Sequence, residues 1–197
     1  TGGKTTVTVV FSLTALGAKT AQLSLVKGEA DENPYIINLT GTGTASQVSD
    51  IVTDGTFVYN TNIDYKNYIT ADITAVNSVE LGRFILRDGG ATTDADNLGT
   101  ILNTLSFTVG YSANLQRLAI YDGSTEVAEV VPTGTTNFTG LTLTATDNGI
   151  KTFTIRGSFK TAVTDNQRIQ LTVASATASA TGSGFGTISA TTSITGT

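Results

Sequence analysis

Polar and apolar residues alternate with a period of two in one segment after another of this chain, and that pattern commits it to β structure. In Thr152–Lys160, residues Phe153, Ile155 and Phe159 fall on one face and polar residues on the other. Ile169, Leu171 and Val173 repeat the pattern against Arg168, Gln170 and Thr172. Leu105, Phe107 and Val109 do the same, as do Val7, Val9 and Phe11. Successive side chains of a strand point to opposite faces, so each segment has one dry side and one wet side. Half-buried strands of this kind suit antiparallel sheets packed face to face, and the expected fold is an all-β antiparallel β-sandwich. No helical periodicity is sustained; a single helical turn is expected at most within Asp94–Leu102.

Turn signals separate the alternating segments. Asp122-Gly123-Ser124 stands between Leu118–Tyr121 and Val127–Val131, a hairpin signal. Asp147-Asn148-Gly149 lies between Leu141–Leu143 and the Phe153 segment, and Asp54-Gly55 precedes the extended-looking Thr56–Tyr59. A boundary is expected near Ala45–Asp50, with about three strands before it and roughly eight to ten after it. That division gives residues 1–45 and 46–197. The Ala/Ser/Thr/Gly-rich tail from Ser175 reads as a final strand, a linker or both, with Phe185 and Ile188 its expected buried positions.

Composition removes several function classes. The 197 residues carry a net charge of −5 with only 11 Lys and Arg, the wrong balance for binding nucleic acid. No apolar run approaches the ~20 residues that span a bilayer as a helix, so membrane insertion of this segment is not expected. The chain lacks His, Cys, Met and Trp. Thiolate chemistry, disulfides and Cys/His zinc sites are therefore out, and the usual neutral-pH general base is missing. A chain without an initiating Met is expected to be a processed or excised segment. The abundance of Thr suits the solvent face of strands.

Residues 1–45 resemble the C-terminal half of the choice-of-anchor D type of immunoglobulin-like domain, related to the ASH and major-sperm-protein-like sandwiches. The resemblance is carried by Thr5–Phe11, by Gly17–Leu25, by Glu32-Asn33-Pro34-Tyr35 and by Leu39-Thr40-Gly41-Thr42-Gly43. It departs at Val26–Glu29, where that family has an Asn/Asp-rich turn. Residues 50–197 are similar to a β-sandwich module of large adhesin-like bacterial surface proteins. Here the likeness rests on Gly82–Gly90, Asp94–Thr100, Ala119–Gly123, Thr164–Gln167 and Gly182–Phe185. The resemblance implies an immunoglobulin-like, two-module tandem at an extracellular or cell-surface location. It also implies a structural or adhesive role as spacer and interaction surface, with neighbouring Ig-like domains or identical subunits as partners. A half domain at residues 1–45 should have its apolar residues Val7, Val9, Phe11, Leu23, Leu25, Ile37 and Leu39 covered, and head-to-tail strand donation between subunits would make a pilus-like filament.

One loop concentrates hard oxygen ligands. Asp88, Asp94 and Asp96 fall within a Gly-rich stretch beside Asn97, the ligand type Ca²⁺ prefers, so this loop is either a calcium site or an acidic solvated loop of Asx turns. Its spacing is not that of an EF-hand. Asp147-Asn148 and Asp165-Asn166 read as turn formers. Tyr59, Tyr65, Tyr68, Tyr111 and Tyr121 are the candidates for a small face contacting surface glycans. Without Trp platforms a glycosidase is not expected, and no catalytic residue is assigned. A Lys–Asn isopeptide bond would draw on Lys4, Lys27, Lys151 and Asn33, which nothing in the sequence pairs.

Overall fold

The computed structural model describes residues 6–10, 15–26, 34–59, 62–188 and 191–195, the last five as backbone. The described chain is all-β. It runs β1 (Gly17–Leu25), β2 (Tyr35–Gly43), β3 (Ser49–Thr53), β4 (Val79–Arg87), β5 (Thr100–Val109), β6 (Leu115–Asp122), β7 (Thr125–Val130), β8 (Thr135–Phe138), β9 (Leu143–Ala145), β10 (Ile150–Phe159), β11 (Arg168–Ala178), β12 (Phe185–Ile188) and β13 (Thr191–Thr195). A six-stranded sheet has the order β12-β3-β4-β10-β6-β7. A five-stranded sheet runs β13-β11-β5-β8, with β9 on β5 alongside β8. Strands β1 and β2 form a separate two-stranded sheet.

The two larger sheets share one core, as the alternation requires. Phe153 and Phe84 are opposed in the β10/β4 ladder and stack with ring centroids 5.4 Å apart. Phe84 meets Phe107 of the other sheet edge-on at 6.4 Å, and Phe107 meets Phe138 at 6.2 Å. This line of four buried rings crosses from one sheet to the other. Leu105, Phe107 and Val109 are buried as expected, and so are Ile169, Leu171 and Val173. Removing each such side chain from water contributes roughly 1.5–3 kcal/mol, which is why these positions fix the sheet register.

One slip in the alternation has a visible cause. In β4 the buried residues are Val79 and Leu81, then Phe84 and Leu86, a change of phase at Leu81-Gly82. The partner strand pairs Ile155 with Gly82 and Arg156 with Glu80, leaving Leu81 as the extra residue of a β-bulge. Gly157 makes room for it: a Cβ there would stand 2.5 Å from Leu81 Cδ1.

The hairpin signal at Asp122-Gly123-Ser124 is realised. Asp122 pairs with Thr125, leaving a two-residue loop whose Gly123 has φ +61°, the glycine-first pattern of a type II′ turn. The Asp147-Asn148-Gly149 turn instead carries the chain from β9 in one sheet to β10 in the other. The tail beyond Ser175 supplies strands: it ends β11 at Ala178, turns through residues 179–184 and then gives β12 and β13, with Phe185 and Ile188 partly buried against the core.

Several expectations are corrected. Residues 46–197 hold eleven described strands rather than eight to ten, and the described part of residues 1–45 holds β1 and β2. Residues 6–10 form no strand; Val7 and Val9 are more than half exposed, having no ladder partner, and Phe11 lies outside the described residues. Thr56–Tyr59 is not a strand either. Asp54 takes the backbone N–H and the hydroxyl of Thr56 in an Asx turn, and Phe57 packs edge-on against Tyr59. No helical turn forms over Asp94–Leu102, because the Asp96 carboxylate accepts the Leu98 N–H at 2.8 Å and so competes with helical bonding. The described single turns of helix are 3-10 turns at Tyr65–Tyr68 and Ser112–Asn114. One strand pair, β12 with β3, is parallel.

Candidate cation site at the loop junction

The acidic loop follows β4, and its shape is set by two glycines. Gly89 and Gly90 have φ +72° and +67°, and a Cβ on Gly90 would lie 2.4 Å from the carbonyl oxygen of Val48. Only glycine takes this path without strain. The turn brings Asp88, at the mouth of β4, back against the start of β5 and the turn before β10.

Asp88 is buried and fully engaged. Its Oδ1 accepts the Thr100 hydroxyl at 2.6 Å, and the Ser49 hydroxyl lies 3.3 Å from the same oxygen. Its Oδ2 accepts the Asn148 N–H at 2.8 Å, and its own N–H donates to the Gly149 carbonyl at 2.9 Å. Asn148, held at φ +53°, fastens the other side: its Oδ1 accepts the Asp94 N–H at 2.7 Å. The side chains of Asp88, Asp94 and Asp147 then converge, with one carboxylate oxygen from each within 4.8 Å of the others. Oxygens bound to one Ca²⁺ sit about 2.3–2.6 Å from it and so at most about 5 Å apart, which this triad satisfies.

Asp94 is the strained member. Its Oδ2 is buried without a hydrogen-bond partner, and the Asp96 N–H reaches its Oδ1 only at a long 3.4 Å. Burial pushes its carboxyl above the ordinary value, against the pull of Ser46 and the Asp96 N–H, and the charges of Asp96 and Asp88 push the same way. A divalent cation would reverse that balance.

Asp96 takes a different part from the one its place in the loop suggested. It stands outside the triad and works as a clamp. Its Oδ2 accepts the Ser46 N–H at 2.5 Å and the Ser183 hydroxyl at 2.9 Å, and its Oδ1 accepts the Leu98 N–H. Burial alone would raise this carboxyl; the bonds from Ser46, Leu98 and Ser183 bring it below the ordinary value. Asp96 thereby fastens the segment leading out of β2 to the body. Asp147, read from sequence as a turn former, supplies the third carboxylate. It lies across a contact whose partners are 54 residues apart, and only a hint that its turn abuts the Asp94 loop would have revealed it.

The other candidates are dispersed. Tyr121 is buried with its hydroxyl donating to Glu126, and it cannot join an exposed aromatic face. Tyr59, Tyr65 and Tyr68 pack partly against the core, and Tyr111 is exposed on its own turn. Lys151 pairs with Asp122 at 2.7 Å; Lys4, Lys27 and Asn33 lie outside the described residues. No protein-family model matches this chain, and no curated protein matches it.

Proposed function

We propose that this chain is a structural and adhesive segment of a large secreted or cell-surface bacterial protein, acting as spacer and interaction surface. The observation that carries the reading is the pairing of a densely packed body with a hairpin, β1–β2, whose apolar residues stay outside the body's core. In this reading residues 1–45 belong to one immunoglobulin-like module and residues 46–197 to the next. Protease treatment of intact producing cells tests it. Peptides of this chain should be released from whole cells; a chain found only after lysis would overturn the surface role.

Calcium is the ion this reading places between Asp88, Asp94 and Asp147, where it would staple the β4–β5 loop to the turn before β10. Isothermal titration should give calcium-dependent heat for the native chain and a binding constant weakened at least tenfold in Asp94→Asn. No heat for the native chain would dismiss the ion. A second reading, a filament subunit assembled by strand complementation, is favoured by the outer edges of β1 and β2, which pair with no other described strand.

A further inference from the structure

Asn148-Gly149 is the chain's one Asn-Gly pair; each of its other asparagines is followed by a residue larger than glycine. Such a pair is chemically labile. The backbone nitrogen of the following residue can attack the side-chain carbonyl carbon of asparagine, and a glycine, with no Cβ in the way, leaves that path open. A carbon–nitrogen bond forms, ammonia leaves, and a succinimide ring remains. Water then opens the ring at one of its two carbonyls. The product is aspartate, or isoaspartate, whose main chain runs through the former side-chain carbon.

The fold asks for both residues at this turn. Asn148 sits at φ +53°, in the left-handed region that asparagine tolerates better than most residues. A Cβ on Gly149 would run into the hydroxyl of Thr146. The same fold restrains the pair it requires. The attack needs the Gly149 nitrogen stripped of its proton, and that N–H is donated to the Thr146 carbonyl at 2.7 Å. The Asn148 side chain is tied at both ends: its Oδ1 accepts the Asp94 N–H at 2.7 Å, and its Nδ2 donates to Asp147 Oδ1 at 3.1 Å. The reaction therefore waits on opening of the turn. That opening is local, because Asn148 is exposed and lies in a turn between strands, outside the packed core.

The product cannot restore the closed junction. Aspartate at 148 lacks the N–H that faces Asp147, and it adds a negative charge where carboxylate oxygens of Asp88, Asp94 and Asp147 already lie within 4.8 Å of one another. Isoaspartate also lengthens the main chain between two groups that Asp88 grips together, the Asn148 N–H on its Oδ2 and the Gly149 carbonyl on its own N–H. We infer that Asn148-Gly149 is a spontaneous modification site gated by this junction: it deamidates when the β4–β5 loop and the turn before β10 part, and its product keeps them apart. The junction thus ages in one direction. This goes beyond the structural role proposed above and needs neither the surface location nor the ion.

Peptide mapping by mass spectrometry, with isoaspartate methyltransferase labelling, follows the reaction in the native chain held in warm, mildly alkaline buffer with a chelator. Asn148 should convert before any other asparagine. Conversion should run at least about tenfold faster in the chain unfolded with guanidinium, because several hydrogen bonds hold the turn closed. Asp147→Ala, an exposed change that frees Nδ2 of Asn148, should convert faster than the native chain. In the converted chain the Asp94 amide should exchange several-fold faster than before, while amides in the middle of β5 stay constant. Asn148→Asp, which carries the added charge from the start, should show the same faster exchange. A native chain that leaves Asn148 intact, converts another asparagine first, or converts Asn148 as fast as the unfolded chain does overturns the inference. So does a converted chain whose Asp94 amide exchanges as before.

Discussion

Phe84→Ala should destabilise the body by about 3–5 kcal/mol, the cost of a large cavity in a close-packed core. Phe84 is fully buried, stacks on Phe153 within its own sheet and meets Phe107 of the facing sheet. Removing the ring breaks the aromatic line where it crosses between sheets, and strands hydrogen-bonded only within their own sheets cannot collapse to fill the gap. For a domain of this size the melting temperature should fall by roughly 6–20 °C. Val76→Ala is the control. Val76 is 91% exposed, and its loss should change stability by less than about 0.5 kcal/mol. Near-equal melting of the two variants would mean that the rings do not hold the sheets together.

Asp96→Ala is expected to cost about 2–3 kcal/mol, because hydrogen bonds to a charged acceptor are the stronger ones and this carboxylate receives three. The loss should be local in one respect. The Ser46 amide should exchange faster than in the native chain, while amides in the middle of β10 keep their rank order. The pH dependence has a definite sign. The folded-state carboxyl lies below its unfolded value, so its stabilisation is complete above about pH 4 and is lost as pH falls through the lower folded value. The stability gap between native chain and variant should therefore close in acid. A gap that widened on acidification would show that Asp96 acts through packing and not through its charge.

Sequence made the strands legible wherever one face is dry and the other wet. Phe153 and Ile155, Leu105 to Val109, and Ile169 to Val173 announce their faces because a register slip would expose all of them at once. The Gly123 turn was equally plain, since two-residue hairpin loops need a residue tolerant of positive φ. Alternation misled at Val7 and Val9, where the pattern exists but no described strand provides a ladder. It misled again at Thr56–Tyr59, where the Asp54 side chain offers the backbone a closer partner. The candidate site was half visible. Asp88 and Asp94 were readable because they share a loop. Asp147 was hidden because its turn reaches them only through the sheet-to-sheet crossover, and no local pattern records such a meeting. Asp96 was placed among the ligands by proximity in sequence, while its carboxylate is turned toward Ser46 and Ser183.

The parallel pairing of β12 with β3 sets an order of events during synthesis. Strand β3 (Ser49–Thr53) is made long before β12, and its place beside β12 stays empty until Phe185–Ile188 has emerged. Every intermediate length of chain therefore carries an unfinished six-stranded sheet, and long-range pairing of this kind is slow to form and open to association meanwhile. A fragment ending after Ala178 should hold most of the core yet leave bare the edge of β3 that β12 covers and the edge of β11 that β13 covers, and it should aggregate more readily than residues 1–197. Strand β12, Phe185–Ile188, is thus the piece that completes the six-stranded sheet beside β3.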